Sequence, residues 1–244
     1  IILNHNVKEM KNMLISGDIT SEELVNIHAD QIDKFDSKTN AVCTFSLDFA
    51  LENARKIDKT KDYNKPLSGI PILIKDLNKT ASIRTTMGSR IYKDFIPDED
   101  DLVVKKIKES GALILGKSNT PEFGAGSHTF NDVFKTTYNP FDLSKTAGGS
   151  SGGAGVALAM RMVPIAQGSD MGGSLRNPAA WNNVVGFRTS IGTIPQLPAE
   201  ITYNMMSVNG PMARNVEDLS ILLSCMAGYD NRIGNSCLLY TSDA

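Results

Sequence analysis

Leu24, Ile27, His28, Gln31, Ile32 and Phe35 recur at intervals of three and four residues, which puts them on one stripe of an α-helix. Thr20 and Glu23 stand where a capping box needs them, so this helix is predicted to begin at Thr20. Ala41–Ser46 is a short apolar run that reads as a strand, and a second helix is predicted over Leu47–Ile57. Gly69-Ile-Pro-Ile-Leu-Ile-Lys75-Asp76 has the branched apolar content of a buried strand, with Pro71 near its start, where a missing N–H is tolerated.

Asp98–Glu109 reads as a further helix, acidic in its first turn and lysine-rich in its last, which complements the helix dipole. Gly111 stops it, and Ala112–Gly116 follows as a strand. Lys117–Thr146 is loop-like. Gly148–Gly153 is a glycine-rich turn leading into a helical run that ends at Met162. Val163–Gln167 is strand-like, Gly168–Ser174 is a second glycine-rich turn, and Leu175–Asn183 is a short helix. Asn215 is placed to cap a last helix through Met226, ended by Gly228. Strand, helix and strand joined by short links predict an α/β sheet.

Composition narrows the function classes. The 244 residues are 41% hydrophobic and 21% charged, with net charge −2, as in an ordinary globular chain. Mixed charges argue against a nucleic-acid-binding surface. The run Gly155–Met160 is stopped by Arg161, far short of a membrane span. Cys43, Cys225 and Cys237 form no close pair and no C-x-x-C, so a reducing, cytoplasmic setting is expected and neither a disulfide framework nor a thiolate metal site is. The chain begins Ile1-Ile2-Leu3, and Cys237–Ala244 lacks a periodic pattern. Both ends are therefore unlike those of a complete protein, and 237–244 is expected to be a non-native tail.

The two glycine-rich turns carry the candidate chemistry. Consecutive N–H groups in such turns can converge on an anionic oxygen, as acyl transfer requires, and a serine there supplies a nucleophile. Phosphate binding is the other use of such turns, but neither closes on Gly-Lys-Ser/Thr. A serine nucleophile needs a base. Of the three histidines, His28 lies on an apolar helix face and reads as a core residue. His5 is near the terminus, and His128 is the one catalytic candidate. The alternative base is a lysine kept neutral by burial. Lys75, ending an apolar strand, fits that role, while a solvated lysine at a strand end is the plainer reading.

The combination of Gly69-Ile-Pro-Ile-Leu-Ile-Lys75-Asp76, Gly116-Lys-Ser-Asn-Thr-Pro-Glu-Phe123, Asn139-Pro-Phe-Asp142, Gly148-Gly-Ser-Ser-Gly-Gly153 and Gly168-Ser-Asp-Met-Gly-Gly-Ser-Leu-Arg-Asn-Pro-Ala179 resembles the amidase signature family. Ser150 and Ser174 also stand 24 residues apart, as that family's pattern requires. The resemblance runs from about Thr20 to Gly228 and implies a mixed, twisted β-sheet covered by helices on both faces, here truncated on its C-terminal side. Residues 1–236 would be the N-terminal part of one domain.

By the same resemblance, Ser174 is the nucleophile, Ser150 the bridging serine that follows a cis peptide, and Lys75 the ultimate base. The N–H groups of Met171, Gly172, Gly173 and Ser174 form the oxyanion hole. Ser151, Asp170 and Arg176 support the site, Arg176 as an anchor of the loop. The reaction implied is hydrolysis of a small-molecule amide with no cofactor, no metal, and no direct nucleic-acid or membrane partner; a homodimer is left open. The glutamine-hydrolysing chain of the glutamyl-tRNA amidotransferase usually shows Thr, Ile and Gln where this chain has Met171, Leu175 and Asn177. It also usually continues Cys-Gly-Val-Val-Gly and Lys-Pro-Thr, against Asn-Asn-Val-Val-Gly186 and Phe187-Arg188-Thr189 here. These departures favour a stand-alone bacterial-type amidase, with the glutamine-hydrolysing transamidase chain or an inactive relative as alternatives.

Overall fold

Each face of the central strand packs into a different core. The structure, a computed structural model, describes residues 2–199, 201 and 203–236; the tail expected at 237–244 lies outside the described residues. Helices α1 (Val7–Ser16) and α2 (Ser21–Thr39) precede strand β1 (Val42–Phe45) and helix α3 (Leu47–Thr60). Thr20 forms the expected capping box with Glu23. Strand β2 (Pro71–Lys75) is followed by α4 (Leu102–Glu109), β3 (Leu113–Ser118) and the short hairpin β4 (Phe130–Asn131) and β5 (Lys135–Thr136). Then come α5 (Gly152–Ala159), β6 (Ile165–Asp170), α6 (Arg176–Trp181), β7 (Val185–Gly186), β8 (Val208–Ala213) and α7 (Val216–Met226).

The main sheet has strand order β1-β3-β2-β6-β8-β7. The pairs β3–β2 and β2–β6 are parallel, while β1–β3, β6–β8 and β7–β8 are antiparallel. The sheet is mixed, as expected. Side chains alternate across a strand, so Ile72 and Ile74 enter one core with Met10, Val104, Ile107 and Leu222. Leu73 enters the other with Ala50, Ala54, Val156, Leu158 and Met212. Helices α1, α4 and α7 thus cover one face and α3 and α5 the other, while α2 contributes Leu24 to the first core and Val25 to the second.

Several boundaries differ from expectation, among them the hairpin β4–β5 inside the stretch 117–146 expected as loop, and two of the differences bear on the site. Helix α4 begins at Leu102, with no acidic residue in its first turn. The acids before it serve another purpose: Asp101 accepts from Asn78 Nδ2 and the Lys79 N–H, both at 3.0 Å. Asp100 accepts from the Ala81 N–H and Lys108 Nζ, both at 2.7 Å. They hold the turn that leaves β2. Strand β6 extends to Asp170, because Gly168, Ser169 and Asp170 pair with Gly210, Asn209 and Val208 of β8. The first three residues of the stretch expected as a glycine-rich turn are therefore strand.

Candidate active site

Three serine hydroxyls surround the end of one buried lysine. Lys75 closes β2 and is fully buried. Its Nζ lies 2.6 Å from Ser150 Oγ, 2.9 Å from Ser151 Oγ and 3.0 Å from Ser169 Oγ. Lys75 joins no ion pair among the described residues. Burial pushes its amine down to about 7, against which the Asp170 charge pulls upward. Ser151 is the N-cap of α5, so the positive end of that helix also abuts Nζ and disfavours a second positive charge there. The amine is poised to accept a proton from Ser150 near neutral pH.

The close approach of α5 depends on its small residues. A Cβ at Gly153 would lie 2.3 Å from the Asn119 main-chain nitrogen, so only glycine lets the helix start against β3's exit. The peptide Gly149–Ser150 is cis. Ser151 Oγ is itself held by the Ser169 main chain, accepting from its N–H at 3.3 Å and donating to its carbonyl at 3.2 Å.

Ser174 sits on the turn between β6 and α6 and is half-buried. Its carbonyl accepts from the Ser151 N–H at 3.2 Å, tying the two serine loops together. Its hydroxyl makes no hydrogen bond among the described residues. Asp170 organises this turn: it accepts from the Gly173 N–H at 2.8 Å and the Leu175 N–H at 3.1 Å, and Arg176 forks onto it at 3.0 and 3.1 Å. Burial works to raise the Asp170 carboxyl, but the Arg176 fork and these amides win and hold it far below the usual carboxylate range.

One of the expected oxyanion donors already has a partner. The Gly173 N–H is committed to Asp170, so it is not free for an oxyanion. The N–H groups of Met171, Gly172 and Ser174 have no partner among the described residues. Arg176 anchors the loop through Asp170, as expected. Arg188 does so as well, from Nη1 to Asp170 Oδ1 at 3.0 Å, a contact the sequence reading did not contain. Ser169 and Gln167 were also missed as neighbours of Lys75; Ser169 stands inside the quoted motif, which was the available signal.

Other sequence strings resolve against function. Gly111–Ser118 spells Gly-x4-Gly-Lys-Ser, yet it runs into strand β3 rather than forming a loop before a helix, so it is not a phosphate cradle. Gly149–Gly153 spells Gly-x-Ser-x-Gly around Ser151, which is fully buried rather than raised on an exposed elbow. His128 Nδ1 pairs with Thr146 Oγ1 at 3.0 Å and reaches neither serine. His28 is fully buried with Nδ1 3.1 Å from the Met162 carbonyl, a core histidine. Among the described residues, no group of three His, Cys, Asp or Glu side chains could hold a metal, and no helix is long and apolar enough to cross a membrane.

The amidase family model matches residues 23–241, and the chain belongs to that family. Its sequence is 40% identical over 226 residues to the A component of the glutamyl-tRNA(Gln) amidotransferase of Desulfatibacillum aliphaticivorans, covering 92% of this chain and 47% of that protein. The corresponding component from Saccharolobus solfataricus is likewise 40% identical over 226 residues, covering 93% and 47%. Among solved structures, a bacterial aryl acylamidase of the amidase signature family superposes with a TM-score of 0.90 at 33% identity, covering 97% of this chain and 50% of that one. The peptide amidase of Stenotrophomonas maltophilia gives 0.87 at 30%, covering 96% and 50%. The chain spans about half the length of the relatives it matches.

Proposed function

We propose that the whole protein cleaves a carboxamide C–N bond through a seryl acyl-enzyme. The observation that carries this reading is the fully buried Lys75 amine, lowered to about 7 and placed 2.6 Å from Ser150 Oγ. Ser174 Oγ attacks the amide carbonyl and passes its proton to Ser150, as Ser150 passes its own to Lys75. The carbonyl oxygen takes up the negative charge beside the Met171, Gly172 and Ser174 N–H groups. Collapse breaks the C–N bond, and the proton returns through Ser150 to the leaving amine. Water then attacks the ester, with Lys75 again the base, and frees the carboxylate and Ser174.

Met171, Leu175 and Asn177 support a stand-alone amidase acting on small or aryl amides, because the transamidase chain usually differs at these positions. A specific observation favours a second reading: the curated relatives at 40% identity are components of glutamyl-tRNA(Gln) amidotransferases, for which the amide would be glutamine. Ammonia release from benzamide and from glutamine, with and without a tRNA-dependent partner, separates the two. Ser174→Ala must abolish release from whichever amide is cut. Inertness toward every amide, with no labelling of Ser174 by a serine-reactive phosphonate, would mean that the protein is not a hydrolase.

A further inference from the structure

Strands β2 and β6 pair only at Ile72 with Ile165 and at Leu73 with Ala166. Beyond that point, at Ile74 and Lys75, the ladder pairing between them stops. The Lys75 main-chain N–H, which would have been a rung of the ladder, instead donates to Gln167 Oε1 at 3.0 Å. Gln167 is fully buried. Its Nε2 faces three acceptors: the Gly168 carbonyl at 2.8 Å, Asn209 Oδ1 at 2.9 Å and Asn78 Oδ1 at 3.0 Å. The amide cannot be flipped, because a main-chain N–H only donates and a carbonyl only accepts.

The second anchor of this network is held from the other side. Asn78 donates through Nδ2 to Asp101 Oδ2 at 3.0 Å, and its carbonyl accepts from Lys117 Nζ. Lys117 also donates to Thr80 Oγ1 at 2.8 Å. That gives this second buried lysine a place in the structure, away from the three serines. A polar cavity of about 140 Å³ adjoins the network, bordered by Asn78, Asp101, Ser169 and Asn209.

We infer that Gln167 is a positioning residue for Lys75. Its side chain replaces a main-chain rung where the ladder stops and so sets where the Lys75 amine reaches Ser150. Both ends of Lys75 are then pinned to one strand, the main chain by Gln167 and Nζ by Ser169 two residues further along β6. That strand leads directly into the turn bearing Ser174. Base and nucleophile are thereby spaced by one element instead of two. The charged groups around the network are Asp170 of β6, Asp76 after β2, Asp101 before α4 and Lys117 of β3, and none of them contacts Gln167 among the described residues.

This inference rests on the amidase reading, and the test separates the two. The probe is benzamide or glutamine, whichever the whole wild-type protein hydrolyses, with active sites counted by phosphonate labelling. Gln167→Met keeps the length of the side chain but removes its polar end. It should lower kcat per labelled site about 10- to 100-fold, the cost of a small misplacement of a reacting group, with KM within about twofold of wild type. The acid limb of its kcat profile should move to higher pH as the lysine site loosens and admits water. Should Gln167→Met fail to fold, Asn78→Ala removes the second anchor and should shift the limb in the same direction. Wild-type kcat per site with an unmoved acid limb overturns the inference. Nitrogen NMR of the Lys75 amine gives the same comparison without turnover, so an inactive wild type would defeat the hydrolase reading and leave this one still decided by the titration.

Discussion

Lys75 Nζ and Ser150 Oγ lie 2.6 Å apart with the lysine fully buried, and no carboxylate pairs with that amine among the described residues. Burial lowers an amine so placed to about 7, the condition under which a lysine can accept a proton near neutral pH.

The acid limb of activity follows from that. Lys75 must be neutral to accept a proton, and its amine is lowered from 10.5 to about 7. kcat is therefore expected to rise with pH up to about 7 and then level, falling about tenfold per unit below. Lys75→Arg leaves a charge that cannot be removed and should cost on the order of 10²–10⁴ in kcat. A pH–rate profile that stays flat down to pH 5 would count against Lys75 as the base.

The serines should separate by the state in which they stop the reaction. Ser174→Ala removes the attacking atom, so neither turnover nor phosphonate labelling should remain. Ser150→Ala breaks only the relay to Lys75, so slow labelling of Ser174 should persist while turnover falls by about 10² or more. Mass spectrometry of the labelled protein reads both. Labelling retained in Ser174→Ala would move the nucleophile elsewhere.

Neighbouring glycines on the same turn should respond differently. Gly173 has φ +117 and an added Cβ would lie 2.9 Å from Asn177 Nδ2, whereas Gly172 has open space around it. Gly173→Ala is expected to destabilise the protein by roughly 1–3 kcal/mol, with Gly172→Ala within about 0.5 kcal/mol of wild type. Urea denaturation of the two variants makes the comparison.

His28 should impose an acid sensitivity that has nothing to do with catalysis. Burial, and then the nearby Arg214 charge, push it from 6.5 down to about 4. Between those values the unfolded chain binds a proton that the folded one does not, so stability falls as pH drops from about 6.5 to about 4 and is flat below. The contribution is on the order of 3 kcal/mol. His28→Leu should remove this slope, measured as the urea midpoint against pH. An unchanged slope would place the titration in another group.

Much of the site could be read from the order of residues. A branched apolar run ending in lysine makes Lys75 a candidate, but a solvated lysine at a strand end reads as plainly, and it is the burial of all five positions of β2 that leaves that lysine no path to solvent. The double-serine and Gly-Gly-Ser turns stand out only in combination, and it is the family resemblance of that combination that assigns roles to Ser150 and Ser174. Strand β8 was not legible. Asn209, Gly210 and Pro211 interrupt any strand pattern, and the segment is a strand because β6 and β7 flank it and satisfy its main chain. The start of α4 was misread for a related reason: Asp100 and Asp101 look like dipole-matching acids until the turn at 78–81 claims their oxygens.

By itself the sequence determined the α/β alternation, the helix caps at Thr20 and Asn215, and the identity of the chemical groups, because these depend on residues a few positions apart. Only the tertiary structure decided which of those groups meet. Lys75 at the end of β2 is brought to Ser150 on the turn before α5, Gln167 takes up the Lys75 N–H where the ladder opens, and the Gly173 N–H is spent within its own turn on Asp170. The two Lys75 contacts arise only when distant segments pack against one another, and the local one is settled by the same rule, that every buried donor has to find an acceptor.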